Sequence, residues 1–300
     1  MHAPPTQRRA MLIALIGEGV APSLTPAMHE LEGARHGMHY VYRTVELAPG
    51  EGTAERMREI LDAARDMGFN GLNITHPVKQ TVVPLLDELA PSAEAVGAVN
   101  TVVFHDGRIA GHNTDVTGFG AAFDEALADL PRERVVLLGS GGAGAAVASA
   151  LVDRGVGDLV IVDADAARAT DLAASVARLA PGRVRSAPLD GLPALLTSAD
   201  GAVNATPVGM AGHPGAPFDV ALLGNGAFVA DIVYRPSETR LLRDADERGL
   251  RVMAGLGMAM HQAADAFEIF TGEPADRQAM LADLQNLVAA ERPAPRPRGT

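Results

Sequence analysis

The chain has 300 residues, 47% hydrophobic and 21% charged, and its 25 Lys and Arg against 37 Asp and Glu leave a formal charge of −12. That length suggests two domains. The acidic balance argues against a nucleic-acid partner held by broad phosphate neutralisation, while an anionic small molecule needs only local positive groups. With no cysteine, disulfides and thiolate chemistry are excluded.

The amino terminus, MHAPPTQRRA, leads into MLIALIG, a short apolar run ended by Glu18, which reads as a first buried strand rather than a signal peptide. No stretch approaches the roughly 20 apolar residues of a membrane span, so a cytoplasmic protein with no membrane partner is expected. From Met11 onward, strand-like runs alternate with helical patterns. MLIALIG precedes TPAMHELEGARHG, YVYRTVEL precedes TAERMREILDAARDMG, and GLNIT precedes VKQTVVPLLDEL, which is expected to be an amphipathic helix opening near Lys79. This alternation predicts an α/β domain with a largely parallel sheet. VNTVVF and RIAGHN, joined across Asp106-Gly107, read as a hairpin. NTDVTGFGAAFDEALADL is expected to connect two domains, with Asn113 to Asp115 near the cleft between them.

A second series begins at Arg134. RVVLLG leads into GGAGAAVASALVDRG, and DLVIVD leads into ADAARATDLAASVARLA; GAVNAT, AFVADIVY and a helix near SETRLLRDADERG follow. This reads as a doubly wound nucleotide-binding unit. The stretches MAMHQAADAFEIFTG and ADRQAMLADLQNLVAA add helices that could cap either domain. ERPAPRPRGT reads as a disordered tail.

GSGGAG, Gly139 to Gly144, fits G-x-G-x-x-G and stands between a strand and a helix rich in small residues, the context this motif requires. Gly139, Gly141, Gly142, Ala143 and Gly144 would let a pyrophosphate approach the backbone at the helix amino terminus. The bland alternative is a glycine-rich turn with no ligand. Nineteen residues past Gly144, Asp163 ends the next strand. Its carboxylate could accept hydrogen bonds from a ribose and repel a 2′-phosphate, which favours NAD over NADP. It could also merely cap the following helix. Arg168 could pair with Asp163, stack on adenine or meet a phosphate. The nine histidines show no metal-ligand spacing, so no metal is expected.

A lone lysine at a strand end, such as Lys79, is ordinarily a solvated surface residue. Here its surroundings resemble the shikimate/quinate dehydrogenase family along nearly the whole chain. SLTPAMHE, GLNITHPVKQ, GAVNTVV, GHNTDVTGF, GSGGAG, VNATPVGM, DIVYRPSET and GLGMAMHQAADAF occur in the family's order. The resemblance implies an α/β substrate domain over 1–115, completed by helices within 256–290, and a Rossmann-like cofactor domain over 116–255. It implies reversible hydride transfer between a ring hydroxyl of a cyclic polyol carboxylate and a nicotinamide. Lys79 matches the family's catalytic lysine and Asp115 its partner aspartate. Oxidising a secondary alcohol requires proton loss from oxygen as hydride leaves carbon, and a positioned amine can mediate that transfer.

By the same resemblance, Ser23 and Thr25 match a hydroxyl pair that holds the substrate carboxylate. Asn73, Thr75, Asn100, Gln262 and Tyr234 match substrate-side positions. Thr206, Ile232 and Gly255 match positions near the nicotinamide end of the cofactor. Taken singly, these residues have plain readings: Asn73 and Asn100 as turn residues, Thr25 as a helix N-cap, Gln262 as an exposed helical position.

Three departures shape the subclass. Thr25 stands where many shikimate dehydrogenases have a second serine. DADAAR, with its acid first, replaces a basic segment, and GEGVAPS lacks the usual histidine. Thr25 and Asp163 resemble the NAD-using quinate/shikimate dehydrogenases. The alternatives are a biosynthetic NADP-dependent shikimate dehydrogenase, an aminoshikimate dehydrogenase, and a nucleotide-sensing protein without catalysis. A monomer or homodimer acting on a small molecule is expected.

Overall fold

The computed structural model describes residues 8–291, so residues 292–300 of the expected tail lie outside it. β1 (Ala10–Gly17) is followed by α1 (Thr25–Arg35), β2 (His39–Glu46), α2 (Ala54–Asp66) and β3 (Gly71–Ile74). Then come β4 (Glu88–Leu89), α3 (Pro91–Val96), β5 (Thr101–His105) and β6 (Arg108–His112). These strands form a sheet of order β2-β1-β3-β5-β6-β4. β1 pairs in parallel with β2 and β3, and the β5–β6 hairpin is antiparallel, so the sheet is mixed. At the hairpin turn Asp106 and Gly107 both have positive φ, 50° and 76°, as a two-residue turn of this hand requires.

The helix expected over VKQTVVPLLDEL does not form. Val82 N reaches Val78 O in a single turn, a short 3-10 segment covers Val83–Leu85, and the chain then becomes the edge strand β4. Pro84 lies inside this stretch, where it cannot donate a backbone hydrogen bond and its ring crowds the preceding turn.

The second half begins with α4 (Thr114–Leu127), then β7 (Arg134–Leu138), α5 (Gly142–Asp153), β8 (Asp158–Val162), α6 (Ala166–Ala177) and β9 (Val184–Ala187). α7 (Leu192–Leu196), β10 (Gly201–Asn204), β11 (Phe228–Asp231), α8 (Arg240–Glu247) and β12 (Arg251–Ala254) complete it. All pairings in this sheet are parallel, in the order β12-β11-β10-β7-β8-β9. Strand order reverses between β7 and β10, the switch point at whose carboxyl ends ligands bind in such folds. Both faces are buried: Phe119, Phe123 and Phe228 pack on one, and Leu196, Val229 and Leu241 on the other. Each such fully buried side chain contributes about 1.5–3 kcal/mol.

α9 (Gly255–Thr271) leaves β12 and returns to the first half. Its Phe267 and Phe270 join Met11, Ile13 and Tyr40 of β1 and β2, while α10 (Arg277–Ala290) packs Met280 and Leu284 with Met28 of α1. α9 therefore covers the mixed sheet, and α10 packs outside it on α1 and α9.

Candidate active site

The floor of the site is built at the carboxyl end of β3. Asn73 is buried, and its amide is largely spent inside the protein. Tyr42 Oη donates to Asn73 Oδ1 at 2.5 Å, and Asn73 Nδ2 donates to Asn100 O at 3.2 Å and Thr101 Oγ1 at 3.0 Å. Asn100 Oδ1 accepts from Thr114 N at 2.8 Å, and Asn100 Nδ2 donates to Thr114 Oγ1 at 2.9 Å. By donor and acceptor count, Asn73 keeps acceptor capacity on Oδ1 and Asn100 keeps one N–H. The α4 N-terminus follows directly: Asn113 Oδ1 caps it, accepting from Asp115 N at 3.2 Å and Val116 N at 3.3 Å. Such a cap contributes about 1 kcal/mol and fixes Asp115 in the first turn.

Lys79 lies in the irregular turn after β3, with its carbonyl bonded by Val99 N at 2.9 Å. Its Nζ donates to Asp115 Oδ2 at 2.5 Å, and the two side chains are 18% and 12% exposed. Its stem reaches the other half of the molecule, since a Cβ on Gly142 would stand 4.0 Å from Lys79 Cδ. The lysine is thus a cleft residue, and an i-to-i+36 contact holds it.

Ser23 and Thr25 stand at the start of α1. The N-cap there is Leu24, so the Thr25 hydroxyl is not spent on capping. Thr25 N donates to Ser23 Oγ at 3.3 Å, which leaves the serine hydroxyl proton to donate elsewhere.

Across the cleft, the glycine-rich turn meets the backbone requirements of a dinucleotide site. Gly139 has φ +101°, and a Cβ on Gly144 would come within 2.1 Å of Gly139 O. α5 starts at Gly142 with Gly141 as N-cap and no side-chain cap, so its first N–H groups are left for an anion. Asp163 is tied to this turn: its Oδ2 accepts from Ser140 N and Ser140 Oγ, both at 2.7 Å, and its Oδ1 from Asp165 N at 2.9 Å. Partial burial pushes the Asp163 carboxyl up. The hydrogen bonds from Asp165 and Ser140, with Arg168 nearby, outweigh that and hold it below its usual 3.8. Helix capping falls to Asp165, which accepts from Ala167 N and Arg168 N.

Two adjoining cavities result. One, of about 450 Å³, is lined by Ser23, Thr25, Asn73, Thr75, Lys79, Asn100, Asp115, Ala143, Ile232, Tyr234, Gly255 and Gln262. The other, of about 670 Å³, is lined by Thr75, Lys79, Gly141, Gly142, Ala143 and Arg168 among others. Thr75, Lys79 and Ala143 belong to both. Gly139, Gly144, Asp163 and Thr206 line neither. The first two shape the turn, and Thr206 spends its hydroxyl on Asn204 Oδ1 at 2.6 Å. Burial pushes the Tyr234 hydroxyl up, so it remains a protonated donor. Sequence reasoning missed Val20, Met210, Arg235 and Met258 in the first cavity and Ser140 in the second. Arg235 follows Tyr234 directly, but only its three-dimensional partners mark it. Among the described residues no cluster of His, Asp and Glu could hold a metal ion, and no helix is long and apolar enough to cross a membrane.

A parallel sheet with a glycine-rich turn at its switch point, facing a polar cavity with a lysine–aspartate pair, defines a nucleotide-dependent dehydrogenase. Family models agree: residues 15–102 match the shikimate dehydrogenase substrate binding domain, 122–209 the shikimate / quinate 5-dehydrogenase model, and 255–285 the shikimate 5'-dehydrogenase C-terminal domain. The chain belongs to the shikimate/quinate dehydrogenase family of NAD(P)-dependent oxidoreductases. It is 54% identical to the shikimate dehydrogenase (NADP(+)) of Streptomyces avermitilis over 92% of this chain and 95% of that one. It is 48% identical to the quinate/shikimate dehydrogenase (NAD(+)) of Corynebacterium efficiens over 93% and 99%. Among solved structures, the quinate dehydrogenase of Corynebacterium glutamicum in complex with NAD superposes with a TM-score of 0.89 at 44% identity, covering 93% of this chain and all of that one (100%).

Proposed function

We infer that the protein is an NAD-dependent quinate/shikimate dehydrogenase, interconverting a ring hydroxyl of quinate or shikimate and the 3-dehydro ketone. The observation that carries this reading is the Lys79–Asp115 pair: both line the substrate-side cavity, and Lys79 borders the cofactor-side cavity as well. When bound, the nicotinamide serves as the hydride acceptor. The chain's own residues do the rest. Lys79 Nζ and Asp115 take and relay the proton lost by the reacting hydroxyl, with Asp115 also fixing the amine. Asn73 Oδ1 and one Asn100 N–H are complementary to a single hydroxyl, which both donates and accepts. Ser23, Thr25, Thr75, Tyr234 and Gln262 bind the carboxylate and the other ring hydroxyls. Gly139 to Gly144 hold the pyrophosphate, and Thr206, Ile232 and Gly255 border the nicotinamide end.

Asp163 supports NAD. It is held anionic, three hydrogen bonds occupy three of its roughly four acceptor positions, and the one left suits a ribose hydroxyl but not a phosphate. A second reading, use of NADP, is favoured by Arg168 lining the cofactor-side cavity and by the NADP-named relative with 54% identity. The substrate domain in this reading spans 1–115 with 256–290, the cofactor domain 116–255, and the enzyme works in the cytoplasm as a monomer or homodimer. Initial rates for quinate and shikimate, each with NAD and with NADP, test the reading. Turnover of both substrates with NAD alone is expected. Turnover confined to shikimate with NADP would move the protein to the second reading.

A further inference from the structure

The segment between β1 and α1 brings Ser23 to the cavity wall, although residues 18–24 form neither helix nor strand. Two charged side chains hold it from opposite sides. Glu46, the last residue of β2, accepts from three successive backbone amides, those of Gly19, Val20 at 3.0 Å and Ala21 at 3.2 Å. Ser23 N closes the turn by donating to Val20 O at 3.0 Å. A carboxylate seated among consecutive N–H groups fixes the path of a loop that has no ladder of its own.

The second grip comes from the parallel-sheet half. Arg235 Nη1 donates to Pro22 O at 2.8 Å, and its Nη2 donates to Glu291 Oε1, at the end of α10, at 2.6 Å. The Pro22 carbonyl belongs to the same rigid peptide plane as Ser23 N, so holding that oxygen also limits the direction of the serine side chain. Arg235 lines the substrate-side cavity, but Glu291 occupies one arm of its guanidinium and the loop the other. A lysine could not span both partners with one ammonium group.

We propose that Glu46 and Arg235 are positioning residues for recognition of the substrate carboxylate, acting through the Ser23 loop. Glu46 fixes the loop within the mixed-sheet half. Arg235 makes the aim of Ser23 depend on a contact between the two halves. This rests on the reading that Ser23 and Thr25 receive the carboxylate.

The test compares wild type, Arg235→Ala, Arg235→Lys and Glu46→Gln with shikimate and its methyl ester, alongside Tm and backbone hydrogen exchange over residues 18–23. Arg235→Ala should raise the KM for shikimate about tenfold. It should change kcat much less, leave the KM of the preferred cofactor unchanged, and erase most of the preference for acid over ester. Arg235→Lys should recover part of that preference, and Glu46→Gln should shift KM the same way. Both Arg235→Ala and Glu46→Gln should lose exchange protection in the loop. An unchanged KM, or equal losses for acid and ester, would overturn the proposal. A wild type that turns over neither shikimate nor quinate would defeat the functional reading instead. The exchange data would then decide the clamp alone: undiminished protection in both variants would refute it.

Discussion

The two sides of the cleft achieve recognition by different means. On the mixed-sheet side, buried side-chain amides are committed to an internal network before any ligand arrives: Tyr42 holds Asn73, and Thr114 holds Asn100. On the parallel-sheet side the working surface is backbone, open at Gly141 and Gly142 because they carry no side chains, with Arg168 and Asp171 as charged residues of the cavity lining and Asp163 just behind the turn. A polyhydroxylated ring needs several donors and acceptors at set angles, and a satisfied network holds those angles. A pyrophosphate needs close approach to amide protons, which glycine allows. The difference implies that damage on the first side should fall on the substrate and damage on the second on the cofactor.

Asp115→Ala tests where the two sides meet. It removes the carboxylate that fixes Lys79 Nζ, and kcat/KM is expected to fall by about a hundredfold or more, with the KM for the cofactor little changed. Asp163→Asn probes the cofactor side. It keeps an oxygen acceptor for Ser140 but removes the negative charge, so the ratio of kcat/KM with NADP to that with NAD should rise about tenfold, roughly 1.4 kcal/mol. An unaltered ratio would mean that the ribose contact lies elsewhere. Tyr42→Phe probes the substrate side. Loss of the hydrogen bond to Asn73 Oδ1 should lower kcat/KM for shikimate about fivefold to tenfold and leave the NAD to NADP ratio as it was. A change in cofactor preference in Tyr42→Phe would break the proposed division.

The smallest effect concerns stability. His29 is fully buried beside Tyr40, with its Nδ1 3.0 Å from the Tyr40 hydroxyl, and burial lowers its pKa from 6.5 to about 3. The unfolded chain protonates this residue near 6.5, whereas the folded chain resists until about 3. The site's contribution to stability is therefore complete above pH 6.5 and is lost as pH falls toward 3. Denaturant titrations from pH 7 to 4 should show His29→Leu with a flatter acid slope than wild type, by at most about 1.4 kcal/mol per pH unit. Identical slopes would exclude His29 as a source of acid sensitivity.

Much of this was legible in the sequence because local pattern and function coincide there. The alternation of apolar runs foretold both sheets, and G-x-G-x-x-G foretold the turn at the switch point. GLNITHPVKQ placed Lys79 after a strand. The helix expected beyond it does not form because Pro84 breaks it locally despite the apolar period. Asp163 was legible as a strand-end acid, but not its bonds to Ser140, 23 positions earlier. Tyr42 and Arg235 were not legible at all. Their partners lie 31 and 213 residues away, and nothing in a tyrosine on a strand or an arginine before a proline announces such a contact.

The central claim is that Lys79 moves the proton and is not needed to hold the substrate. Single-turnover formation of reduced cofactor, measured with a direct binding titration of shikimate, tests it in wild type and Lys79→Ala. The account predicts a transfer rate lower by about a thousandfold with a dissociation constant changed only slightly. A rate close to wild type, or a loss of binding as large as the loss of rate, would contradict it.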